Sequence, residues 1–117
     1  MRHQVVPRKF GRSSPHRQAM FRNMVTALLT KEKCETTVQK AKDVKRLTER
    51  LITMARNDNL HTRRQAYSYV KDKAAVAKLF KEIGPRYLER KGGYARVVRT
   101  RFRNGDAAEM ATIELIK

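Results

Sequence analysis

A small α+β domain is the fold class that this sequence predicts. The apolar residues between Pro15 and Ile83 recur mainly at spacings of three and four, which marks helices. From Gly92 onward the spacing changes to two, which marks strands. One short β-prone stretch lies between the first helix and the rest, so the order reads helix, strand, three helices, two strands. That order suggests a small sheet with helices packed on one side.

The first helix runs from about Pro15 to Lys31. Ser13 or Ser14 can serve as its N-cap, and Pro15 suits the first position, where a missing N–H costs nothing. Met20, Phe21, Met24, Val25, Ala27 and Leu28 fall on one side of the helix, with Gln18, Arg22 and Thr26 on the other. "KCETTV" is β-prone and places a strand at Lys33 to Thr37, with Thr36 or Thr37 capping the next helix. In that second helix Ala41, Val44, Leu47, Leu51, Met54 and Ala55 form the stripe, and "NDN" at 57–59 ends it. Lys42, Lys45, Arg46, Glu49 and Arg50 lie mostly off the stripe, as a solvated or RNA-facing surface.

A third helix spans Leu60 to Val70 and turns Ala66, Tyr67 and Val70 inward. A fourth, capped by Asp72, reaches Ile83 with Val76, Leu79, Phe80 and Ile83 inward, and Gly84-Pro85 reads as its stop signal. In "YARVVRTRFR" the alternation sets Tyr94, Val98 and Phe102 on one face and Val97, Arg99, Arg101 and Arg103 on the other. "RNGDAAE" is a turn or short loop, and "MATIELI" returns as the second strand of a hairpin with Ala111, Ile113 and Leu115 on one side. Residues 1–13 read as an extended basic arm and residues 14–117 as one folded unit.

Charge dominates the composition. Lys and Arg number 28 against 11 Asp and Glu, for a formal charge of +17 and a sequence pI near 10.8. Such a charge opposes compaction, so a polyanionic partner is the economical explanation, with nucleic acid and an acidic membrane surface as candidates. Residues 1–24 hold six cations, Arg2, Arg8, Lys9, Arg12, Arg17 and Arg22, and no acid. Residues 81–104 hold eight, Lys81, Arg86, Arg90, Lys91, Arg96, Arg99, Arg101 and Arg103, against Glu82 and Glu89. Two basic segments thus bracket a mixed helical centre and suggest a binding face assembled from both ends.

The opening of the first helix sharpens this. A helix start exposes free N–H groups and the positive end of the macrodipole, where Asp or Glu stabilises and Arg does not. Here Arg12, His16 and Arg17 crowd that end. A phosphate accepting from N–H groups and guanidinium forks together would remove the conflict, whereas a solvated basic turn would simply cost a few tenths of a kcal/mol.

Other chemistries lack their residues. Cys34 is the sole cysteine and is expected as a small buried strand residue; His3, His16 and His61 lack paired-ligand spacing, so neither metal nor catalytic thiol is expected. No Gly-rich loop precedes a lysine in P-loop fashion, so no nucleotide cofactor or small-molecule substrate is expected. No apolar run reaches membrane-span or signal-peptide length, which sets the cytoplasm as the expected address. In "RKGGYAR", Gly92 and Gly93 allow close backbone approach, and Tyr94 either stacks on a base or anchors the core. Arg99, Arg101 and Arg103 would project from one sheet face about 6.5 to 7 Å apart, matching successive phosphates or protecting an edge strand.

Seven stretches in order carry a resemblance that covers nearly the whole chain: "MRH", "GRSSPHRQAMFRNM", "ETTVQKAKDVKRLTERLITMAR", "HTRRQAYSYV", "KLFKEIGPRY", "RKGGYARVVR" and "RNGDAAEMATIEL". Together they resemble the bacterial-type ribosomal protein family seventeen of the large subunit, from which "QVVPRKF" at 4–10 departs. The resemblance implies a non-catalytic protein on the ribosome that binds large-subunit ribosomal RNA near the solvent-side rim of the peptide exit tunnel, beside other large-subunit proteins. By position, Arg2, His3, Gly11, Arg12, Ser14, His16, Arg17, Arg22 and Asn23 match the family's RNA-facing start. Arg63, Arg64, Arg86, Gly92, Gly93, Tyr94 and Arg96 match its later basic motifs, while Arg8, Lys9, Arg90, Lys91, Arg99, Arg101 and Arg103 join them on charge. From composition alone, a DNA-binding architectural protein is the alternative.

Overall fold

The computed structural model describes residues 12–116. Arg2, His3, Arg8, Lys9 and Gly11 of the expected arm lie outside the described residues. Helix α1, Ser14–Lys31, begins as its local chemistry requires: Ser13 takes the N-cap and its side-chain oxygen accepts from the His16 N–H at 3.4 Å. It ends at Glu32, which adopts a left-handed conformation (φ 63°) and donates its N–H to the Leu28 carbonyl at 2.7 Å. Phe21, Val25, Leu28 and Leu29 are buried, while Met20 and Met24 pack half-buried against them. Leu29, outside the expected stripe, is buried as well, while Ala27 of the stripe is half-buried.

Strand β1, Lys33–Thr37, has the expected bounds. Thr37 is the N-cap of α2, Val38–Ala55, yet its side chain makes no capping hydrogen bond. Helix α3, Leu60–Val70, opens on a reciprocal capping box in which Asn59 and Thr62 satisfy each other's backbone N–H groups. Its inward face holds Ala66 and Val70 with Tyr69 half-buried, while Tyr67 is exposed, a correction to the expected stripe. The packing of α1 against α3 is what selects Tyr69, because the Arg22 guanidinium lies over its ring at 5.3 Å.

Helix α4, Lys73–Lys78, is capped by Asp72, which accepts from the Ala74 N–H at 3.0 Å. The chain then does not stop at Gly84-Pro85. It widens into a π-helical turn, Leu79–Ile83, and continues as α5, Gly84–Arg86, with Gly84 at φ −56° rather than in a left-handed cap. A regular helix would set the Lys81 carbonyl against the Pro85 ring; the wider turn, closed by the Gly84 N–H to the Leu79 carbonyl, relieves that conflict. Gly84 is required for packing instead of for turning: a Cβ there would lie 2.7 Å from the Ala55 carbonyl oxygen at the end of α2.

Strands β2, Ala95–Phe102, and β3, Glu109–Leu115, form the expected hairpin, and β3 lies between β1 and β2 in an antiparallel sheet. On β3 the alternate residues Ala111, Ile113 and Leu115 are buried, as the period of two requires. Register then decides β2: Val97 opposes Ile113 and packs on the core, which leaves Val98, opposite Thr112, exposed on the strand's open side; Phe102, opposite Glu109 near the strand's end, is exposed as well. The expected alignment of Tyr94 with Val98 and Phe102 is therefore corrected, since Tyr94 precedes the strand and is buried at 1% exposure. Helix α2 covers the inner face of β2 and β3, with α1 beside it, so the helices sit on one side of the sheet.

Replacing Gly84 by Ala is expected to lower stability by about 1–3 kcal/mol, because the facing atoms are backbone and cannot rotate away. Denaturant unfolding checks this; an unchanged midpoint would show that the α2–α5 contact shifts freely.

Candidate nucleic-acid interface

Cations from three elements converge at the end of the molecule where α1 and α2 both begin. Strand β1 runs back from the end of α1, and its last residue, Thr37, pairs with Met110 beside the β2–β3 turn. The start of α1, the start of α2 and the hairpin turn are thereby neighbours. Neither helix has an acidic residue in its first turn. Lys40, in the first turn of α2, has its ammonium held below the usual lysine range, first by partial burial and then by the charges of Arg12 and Arg103. Lys40 thus feels two further cations, of which Arg103 also holds Asp106, and a phosphate oxygen there would relieve the repulsion on its ammonium. Lys40 was not among the residues expected from sequence, because only the tertiary fold sets it beside Arg12 and Arg103.

Along α1, His16 is exposed and Arg17 reaches the Ser14 hydroxyl at 3.3 Å. Asn23 is exposed. Arg22 differs: its guanidinium lies over Tyr69, and its Nε is buried. It lines a cavity of about 270 Å³ with Asn23, Tyr69 and Lys71, so it belongs to the seam between α1 and α3.

The later arginines are tied into the scaffold. Arg63 grips Asp58 through two nitrogens and lies over Phe80. Arg86 donates to Glu32 at 2.7 Å and Arg96 to Glu114. The expected row on β2 is corrected: Thr100 is an extra residue between Arg99, which opposes Ala111, and Arg101, which opposes Met110. This bulge sets Arg99 and Arg101 on opposite faces, and Arg103 lies past the strand. Each meets an acid, Arg99 with Glu109 at 2.9 Å, Arg101 with Glu35 at 3.0 Å and Arg103 with Asp106 at 2.6 Å.

Around the glycine pair, the Arg90 Nε–H donates to the carbonyls of Gly92 and Gly93, each at 3.2 Å, and shapes the loop into β2. Gly93 sits at φ 63°, where an L side chain is strained. Tyr94 resolves its two readings in favour of the core: its ring packs 5.1 Å from Tyr87, and its hydroxyl accepts from Arg56 at 3.0 Å. Arg64 and Lys91 are exposed on α3 and before the glycines. Cys34 is half-buried, and burial pushes its thiol above the ordinary value, away from the reactive thiolate. Among the described residues no three His, Cys, Asp or Glu side chains gather as a metal-binding group, and no helix is long and apolar enough to cross a membrane.

An α+β scaffold whose scarce acids hold its own arginines, with a surplus of cations gathered at two helix starts, defines a small, strongly basic protein without a metal-binding group among the described residues. Comparison with known proteins gives that class its particular member. The family model described as ribosomal protein L17 matches residues 20–116. A large ribosomal subunit protein bL17 from Moorella thermoacetica is 53% identical over 93% of this chain and 97% of its own length. Proteins of the same name from Fusobacterium nucleatum, at 47% over 99% and 100%, and Desulfotalea psychrophila, at 51% over 99% and 90%, are similar. The chain belongs to the ribosomal protein L17 family and is a structural constituent of the large subunit, not an enzyme.

The Glu32 carboxyl is held below the ordinary glutamate value of 4.5, chiefly by the Arg86 hydrogen bond, with Lys78 adding its charge. A depressed carboxyl stabilises the fold above its unfolded value, and that contribution is lost as pH falls through the folded value. Glu32→Gln is therefore expected to be less stable than the parent chain at pH 7. The difference should shrink progressively below about pH 4.5 in parallel melting curves, whereas a gap that persists at low pH would assign the effect to packing.

Proposed function

We propose that this chain binds large-subunit ribosomal RNA and holds it in place electrostatically. The start of α1 is the primary contact, and the site lies near the solvent-side rim of the peptide exit tunnel, beside neighbouring large-subunit proteins in the cytoplasm. The observation that carries the RNA reading is the gathering of Arg12, Lys40 and Arg103 at two helix starts whose first turns hold no acid, with Asp106 on Arg103. Helix-start N–H groups with cations gathered beside them are a phosphate-binding arrangement. The position by the tunnel rests on the family resemblance.

In this reading Arg12, Ser14, His16, Arg17 and Asn23 receive one RNA segment, and Arg2, His3, Arg8, Lys9 and Gly11 of the basic arm extend that contact. Arg64, Arg90, Lys91, Gly92 and Gly93 add backbone contacts on other faces. Arg22 and Tyr94 act through the scaffold, positioning α1 and the glycine loop. Arg63, Arg96, Arg99, Arg101 and Arg103 are exposed enough to exchange an acidic partner for phosphate at little cost, since surface ion pairs contribute under about 1 kcal/mol, whereas Arg86 is held on partly buried Glu32 and acts through the scaffold. Recognition follows shape and backbone more than base identity.

Sedimentation of cell extract at moderate and high salt tests this reading. Stoichiometric travel with the large subunit through a high-salt wash is expected; recovery with DNA would transfer the reading to an architectural DNA binder. Changing Arg12 and Arg17 to Gln is expected to weaken binding to large-subunit RNA and reduce the salt slope by about one to two, measured by titration at several salt concentrations. Asp106 works in the opposite sense. Arg103 and the Ala108 N–H hold its carboxyl down to about 2, so it is ionised at any working pH and competes with phosphate for Arg103. Asp106→Asn is expected to tighten RNA binding several-fold and steepen the salt dependence in the same titration.

A further inference from the structure

A second basic surface lies on the far side of α2. Lys42, Arg46 and Arg50 follow one another at four-residue intervals, about 6 Å apart along the helix axis, with Lys45 beside them. Two adjoining cavities of about 400 and 330 Å³ run between this row and β2; they share Arg46 and Glu49 and end at the glycine loop. Lys42 is two residues from Lys40, about 200° around the helix, so the groove and the Arg12–Lys40–Arg103 cluster face different directions.

The charges of the groove point outward with little to neutralise them. Glu49, its one acidic wall residue, turns onto the Ala95 N–H at 3.3 Å. Arg46 is held by buried Asp43 at 3.1 Å. Lys42, Lys45 and Arg50 have no acidic partner among the described residues. The walls also lack the aromatic anchor on which protein interfaces depend: Val97 is half-buried, and the Tyr94 ring is spent on the core. A row of cations at roughly the interval of successive phosphates, without an apolar anchor, suits the backbone of a nucleic acid strand.

We infer that the groove between α2 and β2 binds a second stretch of ribosomal RNA backbone, so that the chain clamps two RNA segments that approach from different sides. The inference rests on the RNA-binding reading above and adds to it a separate site with its own residues.

The test is hydroxyl-radical footprinting of large-subunit RNA with the full chain, together with the salt slope of binding. The triple variant K42Q/K45Q/R50Q leaves Arg46 on buried Asp43 and changes only surface side chains, so its melting temperature should match the parent's. It is expected to lose one protected RNA segment, to keep the segment that R12Q/R17Q loses, and to reduce the salt slope by about two to three. The charge-retaining K42R/K45R/R50K should restore the lost segment. Loss of the same segment by both Gln variants, or full protection with an unchanged slope in the triple variant, would overturn the second site and leave the first standing. Unchanged RNA protection with loss of a protein crosslink in the assembled subunit would overturn it in favour of an acidic protein in the groove. No protection by the parent chain would defeat the RNA-binding reading itself, and the groove with it.

Discussion

Everything in this fold hangs on the burial of α2. Val38, Ala41, Val44, Leu51, Ile52 and Ala55 are almost wholly removed from water, and they meet the sheet on one side and the other helices on the next. The small residues Ala41 and Ala55 let neighbouring backbones come close, and at Ala55 the approach leaves room only for the hydrogen of Gly84. Helix α2 can be the centre because its two flanks serve different purposes. One covers β2 and β3, while its polar edge becomes a groove wall and its first turn joins the basic end.

A chain with 28 cations and 11 acids must place its acids with economy. They are spent mainly on arginines of the sheet and the helical connections, as in Glu32 with Arg86, Glu35 with Arg101 and Glu109 with Arg99. The exposed ones, with Glu35 and Glu109, are individually weak. Their collective effect is to moderate the field around the sheet, while the surplus remains at the helix starts and along α2. Charge is therefore distributed by the fold into regions of different potential, and steering toward a polyanion follows from those regions more than from the total.

Much of the fold was legible because its signals are local. The bounds of β1 and α3 follow from residues within them and at their ends, the Asn59–Thr62 box among them. Ser13 and Asp72 cap helices because a short polar side chain reaches its own backbone wherever the helix lies. The hairpin was readable for the same reason, through alternation on each side of a turn. Gly84-Pro85 misleads because a glycine required for close packing has the same letter as one that ends a helix. Tyr67 and Tyr69 are likewise two neighbours on one helix, and the stack with Arg22 chooses between them.

The candidate site divides along the same line. The sequence by itself determined the order of elements, the large excess of cations, the acid-free helix start and the family resemblance, since each depends on composition or on residues close along the chain. The tertiary structure alone decided which valine of β2 faces the core, the bulge at Thr100 that splits the arginine row, the acid each arginine meets, and the placement of Lys40 beside Arg12 and Arg103. These are contacts between residues far apart in sequence. Their geometry is set by strand register and helix packing, and no local periodicity carries that information.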